Sequence, residues 1–572
     1  MGSTTDSPRT DPGRQRFLPL LVLAGMFLAL FLLYQIGNDF PAVYHPDEAK
    51  KTEQVLEGWR NFHHPSLMLN MAEWTTWITG KPSNQGVVLI GRTLSAFYCA
   101  LTGVFLIALA WRFAGPVAAV AVFVLFSVND QVFEAAHYFK EDPALLLGLS
   151  GILLSAAFYW PNRGVLSLLS LGFFAAVAVS SKYFGVIGVV LAFGLVAASI
   201  FIPRREANGT IEAPRAPRVY DPIIFISMVL AFTLLFNYQI IWEFADLREG
   251  LTSEVQKFED DPTEAEVPHT RALNFLKSEL LPLAWIPIFA FFLVPWRRGR
   301  RVTVPEWLCA ILPLLVILIL TFSSRSSARY MLPVAMMTPF FIGAGTARLF
   351  EWIVPANHPR LRYGLIAAVT AAFLASNFGA LWGTLEGTRT DTRAELVEYI
   401  RQNVPEHAFI LADENVYLPG RDFLAESGRE PTVWYGIEPG QIPQYSISHD
   451  PFAAEFFRVK DKDDWMFGGP IKMMQAYGLT HVAVSEKEFD QFIERKHQRK
   501  KFENFRVIQQ FYDEVFEQGE LLWESETGRF RHLNQGLRLY KLPEPTAEEI
   551  EEWQLEYPPK PFGRIPVESA SP

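Results

Sequence analysis

Cysteine is nearly missing from this chain: there are two in 572 residues, Cys99 and Cys309. Both lie in apolar runs, where a buried free thiol is the default, so the rest of the chain has no disulfide framework to lean on. Positive charge is also in short supply. Lys and Arg number 51 against 61 Asp and Glu, a formal net charge of −10, which argues against a nucleic-acid partner because phosphate neutralisation needs a basic surface. Internal repeats and long low-complexity tracts are lacking too, which weakens the case for a transporter built from repeated halves.

Apolar residues are abundant: half of the chain is hydrophobic and 14% aromatic, concentrated in long runs before about residue 385. Runs long enough to cross roughly 30 Å of hydrocarbon describe a polytopic membrane protein. Eleven spans are expected, near 17–36, 87–110, 117–130, 143–160, 165–181, 183–202, 221–241, 276–296, 305–322, 331–350 and 361–383. The fold class is therefore a polytopic α-helical membrane protein of about 11 transmembrane helices with a C-terminal extracytoplasmic α/β domain. The divisions read as an N-terminal cytoplasmic tail at 1–16, the membrane domain at 17–384, the α/β domain at 385–545 and a flexible tail at 546–572. No small-residue cleavage pattern follows the first run, so it reads as a retained anchor.

Basic residues test the topology independently. Arg9, Arg14, Arg16, Arg112, Arg163, Arg204, Arg205, Arg215, Arg218, Arg297, Arg298, Arg300, Arg301, Arg348, Arg360 and Arg362 all fall on one side if the spans alternate. By the positive-inside rule that side is the cytoplasm, which places the protein in a plasma (inner) membrane with the C-terminal domain outside.

Chemistry-bearing residues then gather on the opposite side. Tyr44-His45-Pro46-Asp47-Glu48 follows the first span, and the bland account of its acids is a helix start after a first-turn proline. From Asp47 to Phe62 the apolar positions Val55, Leu56, Trp59 and Phe62 recur at helical spacing, as in a helix lying in the headgroup plane. His63 and His64 come next; neighbours on an extended chain point apart, so a metal would need carboxylates from elsewhere. A second polar loop carries His137, Glu141 and Asp142, for which a helix N-cap is the bland reading of the aspartate. Lys182 stands between two apolar runs, while Arg325 and Arg329 lie outside against the charge trend, suited to a phosphate. The loop from Trp242 to Arg271 is acidic and reads as a solvated cap from which Glu243 and His269 could reach the site.

Together these residues resemble the membrane-embedded GT-C glycosyltransferases, in the branch of protein O-mannosyltransferases and lipid A aminoarabinose transferases. The acidic motif after the first span is Tyr44-His45-Pro46-Asp47-Glu48, the basic-Pro-Pro-Leu-like element is His64-Pro65-Ser66-Leu67, and the second acidic motif is Lys140-Glu141-Asp142-Pro143. Lys182 stands for the lysine after a middle span, and Arg329-Tyr330-Met331-Leu332-Pro333 for the Arg-Tyr-x-x-Pro-like segment. Two departures stand out: Ser66 replaces the second proline, and His64 stands where relatives often place lysine.

The resemblance implies an inverting transfer of a sugar from a polyprenyl-phosphate donor to a protein, lipid or glycan acceptor at the outer membrane face. It implies Asp47, Glu48 and Asp142 as the catalytic acids, with Asp47 the general base and Glu48 and Asp142 orienting the acceptor or base or holding a cation. Lys182, Arg329, Arg325 and His64 would meet the donor phosphate, and His63, His137, Glu141, Tyr330, Glu243 and His269 would be accessory. A divalent metal is left open. The rival reading is a transporter or flippase for a lipid-linked or anionic solute, against which the position of the acids at span ends counts. Sugar, polyprenol, acceptor and oligomeric state are not legible from one chain.

In the C-terminal region Thr390-Asp391-Thr392-Arg393 starts a helix ending near Pro405, and Phe409–Ala412, Thr480–Val484 and Gly536–Tyr540 read as strands. Nothing there looks catalytic.

Overall fold

The computed structural model describes residues 12–40, 46–80, 83–202, 220–260, 285–297, 302–321, 328–405, 408–413, 416, 418, 421–422, 446–448, 471–476, 478–493, 505–528, 530 and 533–556. The chain divides into two compact units, Met1–Leu385 and Glu386–Pro572.

The first unit is helical. Its helices are α1 (Pro12–Tyr34), α2 (Pro46–Glu57), α3 (Leu67–Thr79), α4 (Asn84–Ala114), α5 (Pro116–Ser127), α6 (Asp130–Ala136), α7 (Asp142–Asn162), α8 (Val165–Ser181), α9 (Val186–Phe201), α10 (Asp221–Phe236) and α11 (Phe244–Asp260). They are followed by α12 (Trp285–Arg297), α13 (Val304–Thr321), α14 (Leu332–Ile353) and α15 (Pro359–Gly387). Six described helical segments are long and apolar enough to cross a membrane. The pair α5 and α6 passes the same test together but bends by 64°, and four shorter apolar helices complete the set. These segments follow the order of the eleven expected spans, although the early part of the span expected at 276–296 lies outside the described residues.

Local sequence explains the breaks. The Ser83 side chain accepts a hydrogen bond from the Gly86 amide and so caps α4. Gly115, at φ 87°, turns the chain into α5, whose first residue is Pro116. Asn129 caps α6 by accepting from the Val132 amide, and its side-chain amide donates to the Ala335 carbonyl at 3.0 Å, so the bend is pinned to α14.

Helices approach closely where side chains vanish. A Cβ on Gly148 would lie 2.5 Å from the Ala178 amide nitrogen, which sets the α7–α8 crossing, and one on Gly345 would lie 1.9 Å from the Pro287 carbonyl oxygen between α14 and α12. Gly345→Ala is therefore expected to lower the melting temperature of the purified protein, with an overpacking cost of about 1–3 kcal/mol. Gly364→Ala, which would meet nothing within 4 Å, serves as the neutral comparison.

Arg348 is more than a topological marker. It is buried, donating to Glu306, to the Phe291 carbonyl at 2.5 Å and to the Phe113 carbonyl at 3.1 Å, with its guanidinium 3.9 Å from the Phe291 ring centroid. Glu306 in turn accepts from the Thr303 amide and hydroxyl at 2.6 and 2.8 Å. The pair clasps α12, α13 and α14 to the end of α4, a structural use of an arginine that the charge pattern alone assigns to topology.

The second unit is α/β. Helix α16 (Thr392–Asn403) is capped by Asp391, whose carboxylate accepts from the Arg393 and Ala394 amides. The six strands are β1 (Phe409–Ala412), β2 (Arg421–Asp422), β3 (Ser446–Ser448), β4 (Leu479–Ser485), β5 (Glu520–Glu524) and β6 (Leu537–Lys541), in the order β2-β3-β1-β4-β6-β5. The first four in that order run parallel, and β6 and β5 close the sheet antiparallel. Alternation along the strands buries both faces. Ile410, Ala412, Ala483, Leu537 and Leu539 pack with Leu396, Val397 and Ile400 of α16, while Leu411, Val482, Val484 and Tyr540 pack with Phe489, Phe492, Phe511, Tyr512 and Val515. Those last five belong to helices α18 (Glu486–Ile493) and α19 (Phe505–Gln518), which follow the short α17 (Ile471–Gln475). The stretch expected to be a flexible tail carries a further helix, α20 (Ala547–Glu556), whose Gln554 amide donates to the Ala476 carbonyl at 2.9 Å.

Candidate functional site

Helix α2 sets up the site by pointing two adjacent acids in different directions, since neighbours on a helix do not share a face. Glu48, Lys51, Thr52 and Val55 recur at helical spacing and are all buried. Asp47 stands off this stripe with 51% of its side chain exposed. The helix stops at Glu57, short of the expected Phe62, because Gly58 at φ 79° breaks it.

Glu48 is fully buried and faces Arg92 of α4, also fully buried, in a bidentate pair: Nε to Oε1 at 3.1 Å and Nη2 to Oε2 at 2.5 Å. Arg92 Nη1 donates to the carbonyls of Asn38 and Phe40 at 2.9 and 2.5 Å, and the guanidinium lies 3.4 Å from the Phe40 ring centroid. The same Glu48 Oε1 accepts the Phe139 amide at 2.7 Å. The first acidic motif is thereby bonded to the second. Both oxygens of Glu48, an acid expected to orient the acceptor or base or to hold a cation, are engaged by Arg92, and Oε1 also by the Phe139 amide.

Three further acid–base pairs follow. Lys51 Nζ lies 2.7 Å from Glu141 and 2.8 Å from the Phe139 carbonyl. Lys182 Nζ lies 2.7 Å from Asp142 Oδ1 and 4.8 Å from the Tyr330 ring centroid. Lys140 Nζ lies 3.5 Å from Asp47 Oδ2, the loosest of the set. The exposed Arg329 has its guanidinium 5.5 Å from the Tyr330 ring centroid and is in electrostatic reach of Asp142 and Asp47. Burial works against the Glu141 carboxylate, but Lys51, and His64 beyond it, outweigh that and hold it below the ordinary carboxylate range. Burial, then the neighbouring Arg329, lowers the Lys140 ammonium from its ordinary value, with Asp47 opposing.

The histidine turn is fixed from below. The buried Arg60 donates to the carbonyls of Gln54 and Trp59 at 2.6 and 2.8 Å, to Asn70 Oδ1 at 2.9 Å and to Glu73. Asn70 donates to the Phe236 carbonyl at 2.8 Å, and Asn237 Oδ1 accepts the Ser66 amide at 2.7 Å, so α3 is tied to the end of α10. Tyr183 Oη donates to the Phe62 carbonyl at 2.7 Å and joins this turn to the Lys182 loop.

The structure thus gathers Asp47, Lys140, Asp142, Lys182, Arg329 and Tyr330 at one end of the bundle, with Glu141 and His64 beside them. His63 is half-buried in the same turn, its amide donating to Asn61 Oδ1 at 3.3 Å. His137 is fully buried elsewhere, its ring nitrogens 2.6 and 2.7 Å from the carbonyls of Phe133 and Ile36. Glu243 is half-buried and is raised by burial and by Asp246, with Arg60 opposing, so its neighbour is the Arg60 cluster. Arg325, His269, Tyr44 and His45 lie outside the described residues. Arg92 and Lys51 are the partners that sequence reasoning misses, although an arginine inside an apolar run is itself a signal. For a metal the fit is poor: among the described residues no three His, Cys, Asp or Glu side chains are grouped to hold an ion.

This is a multi-pass helical membrane protein with charged chemistry at one end of its bundle, and several solved membrane proteins are similar to it in architecture. One similar structure is ArnT from Cupriavidus metallidurans bound to undecaprenyl phosphate, at 14% identity and a TM-score of 0.49, covering 91% of this chain and 98% of that one. Another is the Archaeoglobus fulgidus oligosaccharyltransferase AglB in complex with an inhibitory peptide and a dolichol-phosphate, at 9% identity and 0.47, covering 89% and 73%. The S. cerevisiae protein O-mannosyltransferase Pmt1-Pmt2 complex bound to the sugar donor matches at 19% identity and 0.34, over 40% of this chain and 34% of that one. No family model matches the chain, and no curated sequence matches it significantly.

Proposed function

We infer that this protein is an inverting glycosyltransferase that moves a sugar from a polyprenyl-phosphate donor to an acceptor nucleophile at the outer face of the plasma membrane. The observation that carries the reading is the contrast among the four acids. Glu48, Glu141 and Asp142 are buried against Arg92, Lys51 and Lys182, whereas Asp47 keeps an exposed carboxylate beside a cluster of cations. An exposed base beside Lys140, Arg329 and Lys182 suits a reaction that takes a proton and releases a phosphate.

In the proposed step the acceptor oxygen, or a related nucleophile, bonds to the anomeric carbon as its proton passes to Asp47. The bond from that carbon to the phosphate oxygen breaks with its electron pair going to the phosphate. Arg329, with Tyr330 beneath it, and the Asp142–Lys182 pair frame the place where that charge grows. His64 and Arg325 are the further phosphate-binding candidates in this reading, Arg325 lying outside the described residues. The orientation rests on the arginine pattern, which puts the acidic loops and the α/β unit outside.

Purified protein in lipid vesicles, supplied with a radiolabelled polyprenyl-phosphate sugar and a membrane extract as acceptor source, is expected to move label from the organic phase into acceptor. Label carried intact across sealed vesicles without release from the lipid would overturn the reading in favour of a flippase.

A further inference from the structure

Three of the acid–base pairs are tight and one is not. Glu48–Arg92, Glu141–Lys51 and Asp142–Lys182 stand at 2.5, 2.7 and 2.7 Å with both partners buried. Withdrawing any of these cations would strand a buried carboxylate, which is costly. Asp47–Lys140 stands at 3.5 Å, with the acid half exposed and 16% of the lysine side chain exposed. Besides Asp47, Lys140 is within electrostatic reach of Arg329, Lys51 and Asp142.

Glycosyl transfer moves one negative charge across the site. At the start the base is a carboxylate and the donor a phosphodiester with one charge. At the end the base is a neutral acid and the released polyprenyl monophosphate carries the extra charge. The proton lost by the acceptor accounts for the difference, so the total charge of the site is unchanged while its position shifts from Asp47 to the phosphate. A counter-ion held loosely by the base is free to follow it.

We propose that Lys140 is a catalytic residue that transfers its ion pair from Asp47 to the departing phosphate oxygen as the glycosidic bond breaks. The proposal rests on the glycosyltransferase reading above. It assigns the phosphate contact to Lys140 with Arg329 and leaves Lys182 as the fixed partner of Asp142.

The test is a double-mutant cycle on binding of undecaprenyl phosphate, the product-like monophosphate, to full-length protein in nanodiscs. Asp47→Asn imitates the protonated base and frees Lys140, so its affinity for the probe is expected to rise about tenfold, the scale of one charge-assisted hydrogen bond. Lys140→Met is expected to weaken binding about tenfold and to erase the gain in the double variant. Turnover in Lys140→Met should fall further than affinity, and Lys140→Arg should restore most of it. The alkaline side gives a second readout. Because burial and Arg329 lower the Lys140 ammonium, activity should decline with rising pH as that proton is lost, and Lys140→Arg should move the decline to higher pH. The charged groups near Lys140 are Arg329, Asp47, Lys51 and Asp142, with the Tyr138 ring centroid 5.9 Å from its Nζ, and all are left in place in that variant.

An unchanged or weaker affinity in Asp47→Asn, or full turnover in Lys140→Met, would overturn the proposal. If transfer is observed in the wild-type protein and lost in Asp47→Asn while the cycle shows no coupling, the ion-pair transfer alone fails and the glycosyltransferase reading stands. If no transfer occurs at all, the reading beneath it fails.

Discussion

Asp47→Asn is expected to cut glycosyl transfer by about 10²–10⁴-fold, the usual contribution of a positioned general base, in protein that folds and still binds a polyprenyl phosphate. The argument starts in the backbone. Asp47 is in the first turn of α2, where a carboxylate is stabilised by the helix N-terminus, and its neighbour Glu48 has already turned inward to Arg92. The amide variant keeps the size and hydrogen-bonding shape of the side chain and removes only its basicity, so α2 and its buried stripe should be undisturbed. The comparison with Asp142→Asn sharpens the assignment. Asp142 is 2.7 Å from Lys182 and buried, so its amide would leave Lys182 uncompensated and should damage donor binding and folding as well as turnover. Single-turnover measurements on purified protein separate the two. Near-normal turnover in Asp47→Asn would remove it as the base and with it the present mechanism.

Much of the frame is legible in the sequence because lipid leaves few options. An apolar run must be a helix, and its ends must be polar, so the order of the spans and the location of both acidic motifs follow from composition. Asp391 as a helix cap and the strands beginning at Phe409 and Leu537 are similarly local, set by a side chain that caps and by alternating burial. The partners are not local. Arg92 is 44 residues from Glu48, and Lys182 is 40 from Asp142, so nothing in either neighbourhood fixes which acid meets which base. Arg348 is hidden for another reason. An arginine at the end of an expected span needs no explanation beyond the charge rule, and the Glu306 that pairs with it reads as part of an ordinary span start. Strands β2, β3 and β5 are short or edge elements; β5 keeps both end residues exposed, so its pattern is not distinct from a loop.

Glu48→Gln carries the largest expected effect on stability. Arg92 is buried in α4 and pairs with Glu48, and its Nη1 donates to the carbonyls of Asn38 and Phe40. Removing one partner of a buried pair costs about 3–5 kcal/mol because the remaining charge is left in place. The loss also reaches chemistry: Glu48 Oε1 holds the Phe139 amide, one residue before Lys140, so a change at Glu48 loosens the loop that brings Lys140 to Asp47. The expected result is a lower melting temperature together with reduced turnover. Replacing the whole pair by Glu48→Gln with Arg92→Met should recover part of the stability, since no charge is then stranded. Turnover should stay low in that double variant, because a neutral side-chain amide binds the Phe139 N–H more weakly than a carboxylate does. A Glu48→Gln protein that melts at the wild-type temperature and still loses turnover would point the other way. Glu48 would then act on the substrate directly, and the division of labour between the two adjacent acids would have to be redrawn.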